Sequence, residues 1–67
     1  FKKDESLIIP DKINYDLLSG LSNEIKSKFI KVQPKTLGQA IRIDGVTPAA
    51  IIILLSHIKK HRYKVYA

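Results

Sequence analysis

Sixty-seven residues without a cysteine, carrying twelve lysines and arginines against six aspartates and glutamates, have a formal net charge of +6. That length makes one small domain with a modest core, and the composition excludes a disulfide scaffold and a thiolate metal site. No apolar run approaches the roughly 18 residues of a membrane span, and the basic balance favours a polyanionic partner. Cysteine-free composition fits a reducing, intracellular setting better than secretion. The chain opens at Phe1, has no signal-peptide pattern and contains no methionine, so it reads as excised from something longer.

Residues 1–9 read as an irregular charged lead-in from an upstream domain, with Asp4 and Glu5 on a mobile stretch and then Leu7, Ile8 and Ile9. Pro10 stops it, and Asp11 offers a cap for a helix over 12–19. Ile13 and Leu17 share a face there, with Leu18 beside them and Tyr15 and Asp16 between. Gly20 ends this helix. Ser22 is the N-cap of the next, with Glu24 in its positive first turn. Ile25, Phe29 and Val32 form its core stripe, and Glu24 and Lys28 make an i, i+4 pair. Pro34 disfavours helix at Gln33 and sets the boundary.

Thr36 caps a third helix over 37–43, with Leu37, Ala40 and Ile41 on one side and Gln39 and Arg42 facing away. Gly38 costs about 1 kcal/mol there relative to alanine, and reads as a site of close helix approach. Gly45 suits a left-handed helix end, Thr47 caps the last helix, and Pro48 takes its first position, where a missing N–H costs nothing. Over 48–62, Ala50, Ile51, Leu54, Leu55 and Ile58 make a core stripe. Ile52 and Ile53 lie off it, either as a second contact surface or because the bundle wraps this helix on most sides. Nothing reads as strand. The expectation is an all-α fold, a small bundle of about four short helices with a tight helix-turn-helix corner from Asp44 to Pro48. Its single helical domain covers 10–62 and is followed by a basic tail at 63–67.

Catalytic patterns are missing. His57 and His61 are four apart and could chelate a metal, but Ile58 stands where the zincin motif needs glutamate, and no third ligand is evident. Ser56 and His57 point about 100° apart as helix neighbours, so they cannot form a nucleophile and base. No glycine-rich phosphate loop is present. The fragment is therefore read as no enzyme in itself, with no catalytic, cofactor or metal residues. Lys26, Lys28, Lys31, Lys35, Arg42, Lys59, Lys60 and Arg62 are the candidates for phosphate contacts, with Tyr63 and Tyr66 placed to stack on unpaired bases. From this physics alone, the generic module is a stand-alone helix-hairpin-helix-like nucleic-acid binder. Asp44 adds a negative charge to its turn and Pro48 removes a donor, so the fit is loose.

The ordered string Ile9-Pro10, Tyr15, Gly20-Leu21-Ser22 with Glu24, Pro34-Lys35-Thr36-Leu37-Gly38-Gln39-Ala40, Arg42-Ile43 and Gly45-Val46-Thr47-Pro48-Ala49-Ala50 resembles the C-terminal domain of the GidA/MnmG proteins. The resemblance covers about 7–60, and Ile41 departs from the small polar residue commoner there. It implies a parent flavoenzyme, a homodimer using FAD, a reduced nicotinamide and a methylenetetrahydrofolate carbon donor, all bound outside this fragment. With the GTPase partner MnmE, such an enzyme modifies C5 of the wobble uridine of tRNA. The implied roles of this domain are tRNA binding and docking of the GTPase, beside contact with upstream domains and none with membrane. The carried-over positions are Gly20, Ser22, Gln39, Arg42, Gly45, Thr47 and Pro48. Gly20, Ser22, Thr36, Gly38, Gly45, Thr47 and Pro48 also have structural reasons to be present. Gln39 and Arg42 lack one, so with Ile52 and Ile53 they are the candidates for partner docking.

Overall fold

A computed structural model describes residues 4–66 of the backbone and 4–60 of the side chains. Three α-helices follow a single turn of 3-10 helix at Tyr15–Leu17: α1 at Asn23–Val32, α2 at Leu37–Ile41 and α3 at Pro48–Tyr66. There is no strand among the described residues, only one isolated antiparallel bridge between Ile8 and Thr36. The all-α expectation holds, with one fewer full helix.

The helix expected over 12–19 shrinks to the turn Tyr15–Leu17. Asn14 is extended and its side chain accepts from the Asp16 amide, the local bond by which asparagine competes with helix. Eight residues could not nucleate a helix against that competition. The change of geometry rearranges the side chains: Leu17 turns out to solvent, while Leu18 and Tyr15 are buried. Tyr15 stacks on Phe29 with ring centroids 5.1 Å apart and planes 24° from parallel. Burial raises the Tyr15 phenol above its ordinary pKa of 10.0.

α1 begins as expected, with the Ser22 hydroxyl accepting from the Ile25 amide. Its core stripe is narrower than expected: Phe29 is fully buried and Ile25 packs at the edge, but Val32 is 54% exposed. The reason is the helix end. Gln33 takes a left-handed φ of 50° and donates its N–H to the Phe29 carbonyl, turning the chain toward buried Pro34 and leaving Val32 outside. A left-handed non-glycine residue costs about 1–2 kcal/mol, tolerated here because proline disfavours ordinary helix geometry just before it.

α2 is two residues shorter than expected, because Arg42 and Ile43 close it with tight turns onto the Gln39 and Ala40 carbonyls. Leu37 and Ala40 are its fully buried side chains. The corner then forms as anticipated: Gly45 has φ 87°, and the Thr47 hydroxyl accepts from the Ala50 amide at the start of α3. Ala50, Ile51, Leu54 and Ile58 line the core from α3, whose helix extends past the expected Arg62 to Tyr66. Of the two residues read as off the stripe, Ile52 is 53% exposed, but Ile53 is partly buried and packs toward Gly20. The bundle wraps that side of the helix.

The lead-in is a built part of the fold. Ile9 donates to the Lys35 carbonyl, Leu37 to the Leu7 carbonyl and Gly38 to the Glu5 carbonyl, each at 2.9 Å. The last two of these bonds supply acceptors for the first amides of α2, which a helix leaves unsatisfied. Ile9 is buried in the core. Asp4 and Glu5 are therefore pinned, not mobile.

Candidate interaction surface

Gly38 organises the surface around the lead-in. A methyl built on it would lie 3.1 Å from the Glu5 carbonyl oxygen and 3.2 Å from Glu5 Cβ. The close approach read from this glycine is thus made by the lead-in backbone and not by another helix. One turn further along the chain, the Arg42 guanidinium meets Glu5 Oε1 at 3.3 Å. Asp4 Oδ1, next in sequence, lies 3.8 Å from Lys59 Nζ on α3. Two cations, one at the C-cap of α2 and one within α3, therefore pair with one acidic dipeptide.

Gln39 also acquires a structural reason to be present. Its Oε1 accepts from the Lys35 amide at 2.8 Å, while the Thr36 hydroxyl accepts from the Gln39 amide at 3.3 Å. This reciprocal arrangement, close to a capping box, satisfies donors at the start of α2. Gln39 and Arg42, singled out from sequence as lacking a structural role, both have one. The signal was legible for Gln39 in the T-x-x-Q spacing; for Arg42 it was not, since Glu5 is 37 residues away.

The remaining candidate cations disperse. Lys28 does not pair with Glu24; its Nζ donates to the Asp44 carbonyl at 2.6 Å and props the corner. Lys35 Nζ lies 3.9 Å from Asp11 Oδ1, with both side chains largely exposed. Lys26 is half-buried, and Lys31 and Lys60 are exposed. The side chains of His61, Arg62, Tyr63 and Tyr66 lie outside the described residues. All six acids fall within 4–60 with eight of the twelve cations, so net charge there is only +2. Lys2, Lys3, Arg62 and Lys64 supply the rest.

A shallow cavity of about 320 Å³, which sequence reading missed, lies between the segment after the lead-in and the end of α1. Ile9, Ile13, Tyr15, Ile30 and Pro34 give it an apolar lining, and Asp11, Gln33 and Lys35 stand at its polar positions. Among the described residues no group of three or more histidines and carboxylates could hold a metal ion, and no helix is long and apolar enough to cross a membrane.

The comparisons with known proteins agree with the resemblance seen in the motifs. The family model described as the tRNA modifying enzyme MnmG/GidA C-terminal helical bundle matches residues 1–66. The tRNA uridine 5-carboxymethylaminomethyl modification enzyme MnmG of Desulfotalea psychrophila is 49% identical over 63 residues, which is 94% of this chain and 10% of that protein. The enzyme of the same name from Sulfurihydrogenibium sp. is 52% identical over 60 residues, 90% of this chain and 10% of its own. The chain thus spans about a tenth of the length of these relatives. Aquifex aeolicus GidA, in its form II crystal, superimposes with a TM-score of 0.80 at 51% identity, covering 85% of this chain and 9% of that one. With the family model matching residues 1–66, relatives about 50% identical over most of the chain and the fold matched over 85% of it, the chain belongs to the MnmG/GidA C-terminal helical bundle family.

Proposed function

We propose that this bundle serves a cytoplasmic tRNA wobble-uridine modification enzyme as its C-terminal accessory domain, contributing an RNA-contacting surface and no reacting group. The FAD and reduced nicotinamide of such an enzyme bind elsewhere in the parent protein, since this chain has no glycine-rich loop to cradle their phosphates. Methylenetetrahydrofolate, the carbon donor of that reading, likewise belongs to the larger part of the parent, which acts as a homodimer. The observation that supports the RNA reading is the pairing of two exposed cations, Arg42 and Lys59, with the consecutive residues Glu5 and Asp4. Cations from the end of α2 and from α3, each paired with one of two adjacent residues, thereby come within reach of one short stretch of phosphate backbone. Phosphate recognition needs that and no finer geometry.

The test is a titration of the full-length protein with tRNA at two salt concentrations, repeated for Arg42→Gln and Lys59→Gln. The expected result is a lower affinity and a log–log salt slope shallower by about 0.7–0.9 for each lost phosphate contact. An unchanged slope in both variants overturns this placement of the RNA. A second reading, docking of the GTPase partner MnmE, is favoured by one observation: Ile52 remains 53% exposed on α3, beside the exposed Pro48, Ala49 and Ser56 of the same helix. Ile52→Glu should weaken binding of that partner and leave the tRNA titration unaltered.

A further inference from the structure

We propose that Asp4 and Glu5 act as a built-in competitor for phosphate, holding Arg42 and Lys59 in intramolecular ion pairs that RNA must exchange in order to bind. The inference rests on the RNA reading above and adds its regulation. Three observations converge on it. Consecutive carboxylates each hold one cation, Glu5 the Arg42 guanidinium at the end of α2 at 3.3 Å and Asp4 the Lys59 ammonium on α3 at 3.8 Å. The acid-bearing backbone is held in place, because the Gly38 amide donates to the Glu5 carbonyl and the Leu37 amide to the Leu7 carbonyl. Gly38 leaves room for that approach, since a side chain there would press on the Glu5 backbone.

The arrangement permits exchange without unfolding. Only side-chain torsions of Asp4, Glu5, Arg42 and Lys59 need change, while the backbone bonds of the lead-in persist. The pairs are also weak enough to yield. The Arg42 and Lys59 side chains are 72% and 60% exposed, and exposed pairs hold each other only loosely. A phosphate arriving at Arg42 thus displaces a carboxylate that otherwise mimics it. The consequence is a surface that discriminates against weak, isolated polyanions and engages fully only with a ligand that replaces both carboxylates together.

The experiment compares tRNA binding by the full-length protein, by Asp4→Asn/Glu5→Gln, and by the charge-matched control Asp16→Asn/Asp44→Asn, each at two salt concentrations. Releasing two exposed pairs should tighten binding by about fivefold relative to the control. Adding Arg42→Gln/Lys59→Gln to the first variant should abolish that excess. An equal gain in variant and control, or no gain while wild type still binds, overturns the competitor and leaves the RNA reading standing. Failure of every version to bind tRNA at low salt overturns both. Should the double variant melt early, Glu5→Gln against Asp16→Asn makes the same comparison at about a twofold excess.

Discussion

Replacing Gly45 with alanine tests the corner on which α3 is set. Two separate costs are expected. At φ 87° an L side chain sits in the left-handed region, which costs about 1–2 kcal/mol. The added methyl would also collide with Lys28 Nζ, which bonds the Asp44 carbonyl at 2.6 Å; that contact must break, at about 0.5–1.5 kcal/mol. Lys28 is flexible enough to swing away, so the collision itself adds little. The sum is about 2 kcal/mol, or a drop in Tm of roughly 8–16 °C for a domain of this size. Thermal unfolding followed by circular dichroism measures it, and a double-mutant cycle separates the parts. Lys28→Met removes the bond alone, so Gly45→Ala in that background should cost only the backbone strain, making the two changes non-additive by about 1 kcal/mol. Equal melting of Gly45→Ala and wild type, or strict additivity, would refute the corner as described.

Phe29→Ala empties the centre of the core and removes the ring that Tyr15 stacks on; about 3–5 kcal/mol is expected, enough to leave a domain this small largely unfolded by far-UV circular dichroism. Burial raises the Tyr15 pKa, so the folded state holds the phenolic proton more tightly than the unfolded chain does. That stabilisation is complete below the unfolded pKa of 10.0 and is lost as pH rises above it. Urea midpoints measured from pH 8 to pH 11 should therefore fall above about pH 10, and fall less steeply in Tyr15→Phe.

Positions whose structure depends on near neighbours were readable without coordinates. Ser22, Thr36 and Thr47 cap helices because a hydroxyl reaches an amide three residues on, and Gly20 and Gly45 turn left-handed because glycine alone does so freely. The stripe of α3 followed from its period. The family motifs were equally local in character, being short strings at fixed spacing. What short-range rules mispredicted was the segment around Tyr15, where an asparagine side chain captured a backbone amide and one turn replaced a helix.

The amino-acid order by itself determined the helical class, the caps and the corner, since each rests on interactions spanning a few residues. Only the tertiary structure decided what the lead-in does, which of Ile52 and Ile53 meets water, and what holds Arg42. Those outcomes depend on Glu5 meeting Gly38 and Arg42 across more than thirty residues of chain, and on Gly20 receiving Ile53. Such pairings are chosen by shared burial and backbone hydrogen bonding once all the elements are assembled, and no local pattern encodes them.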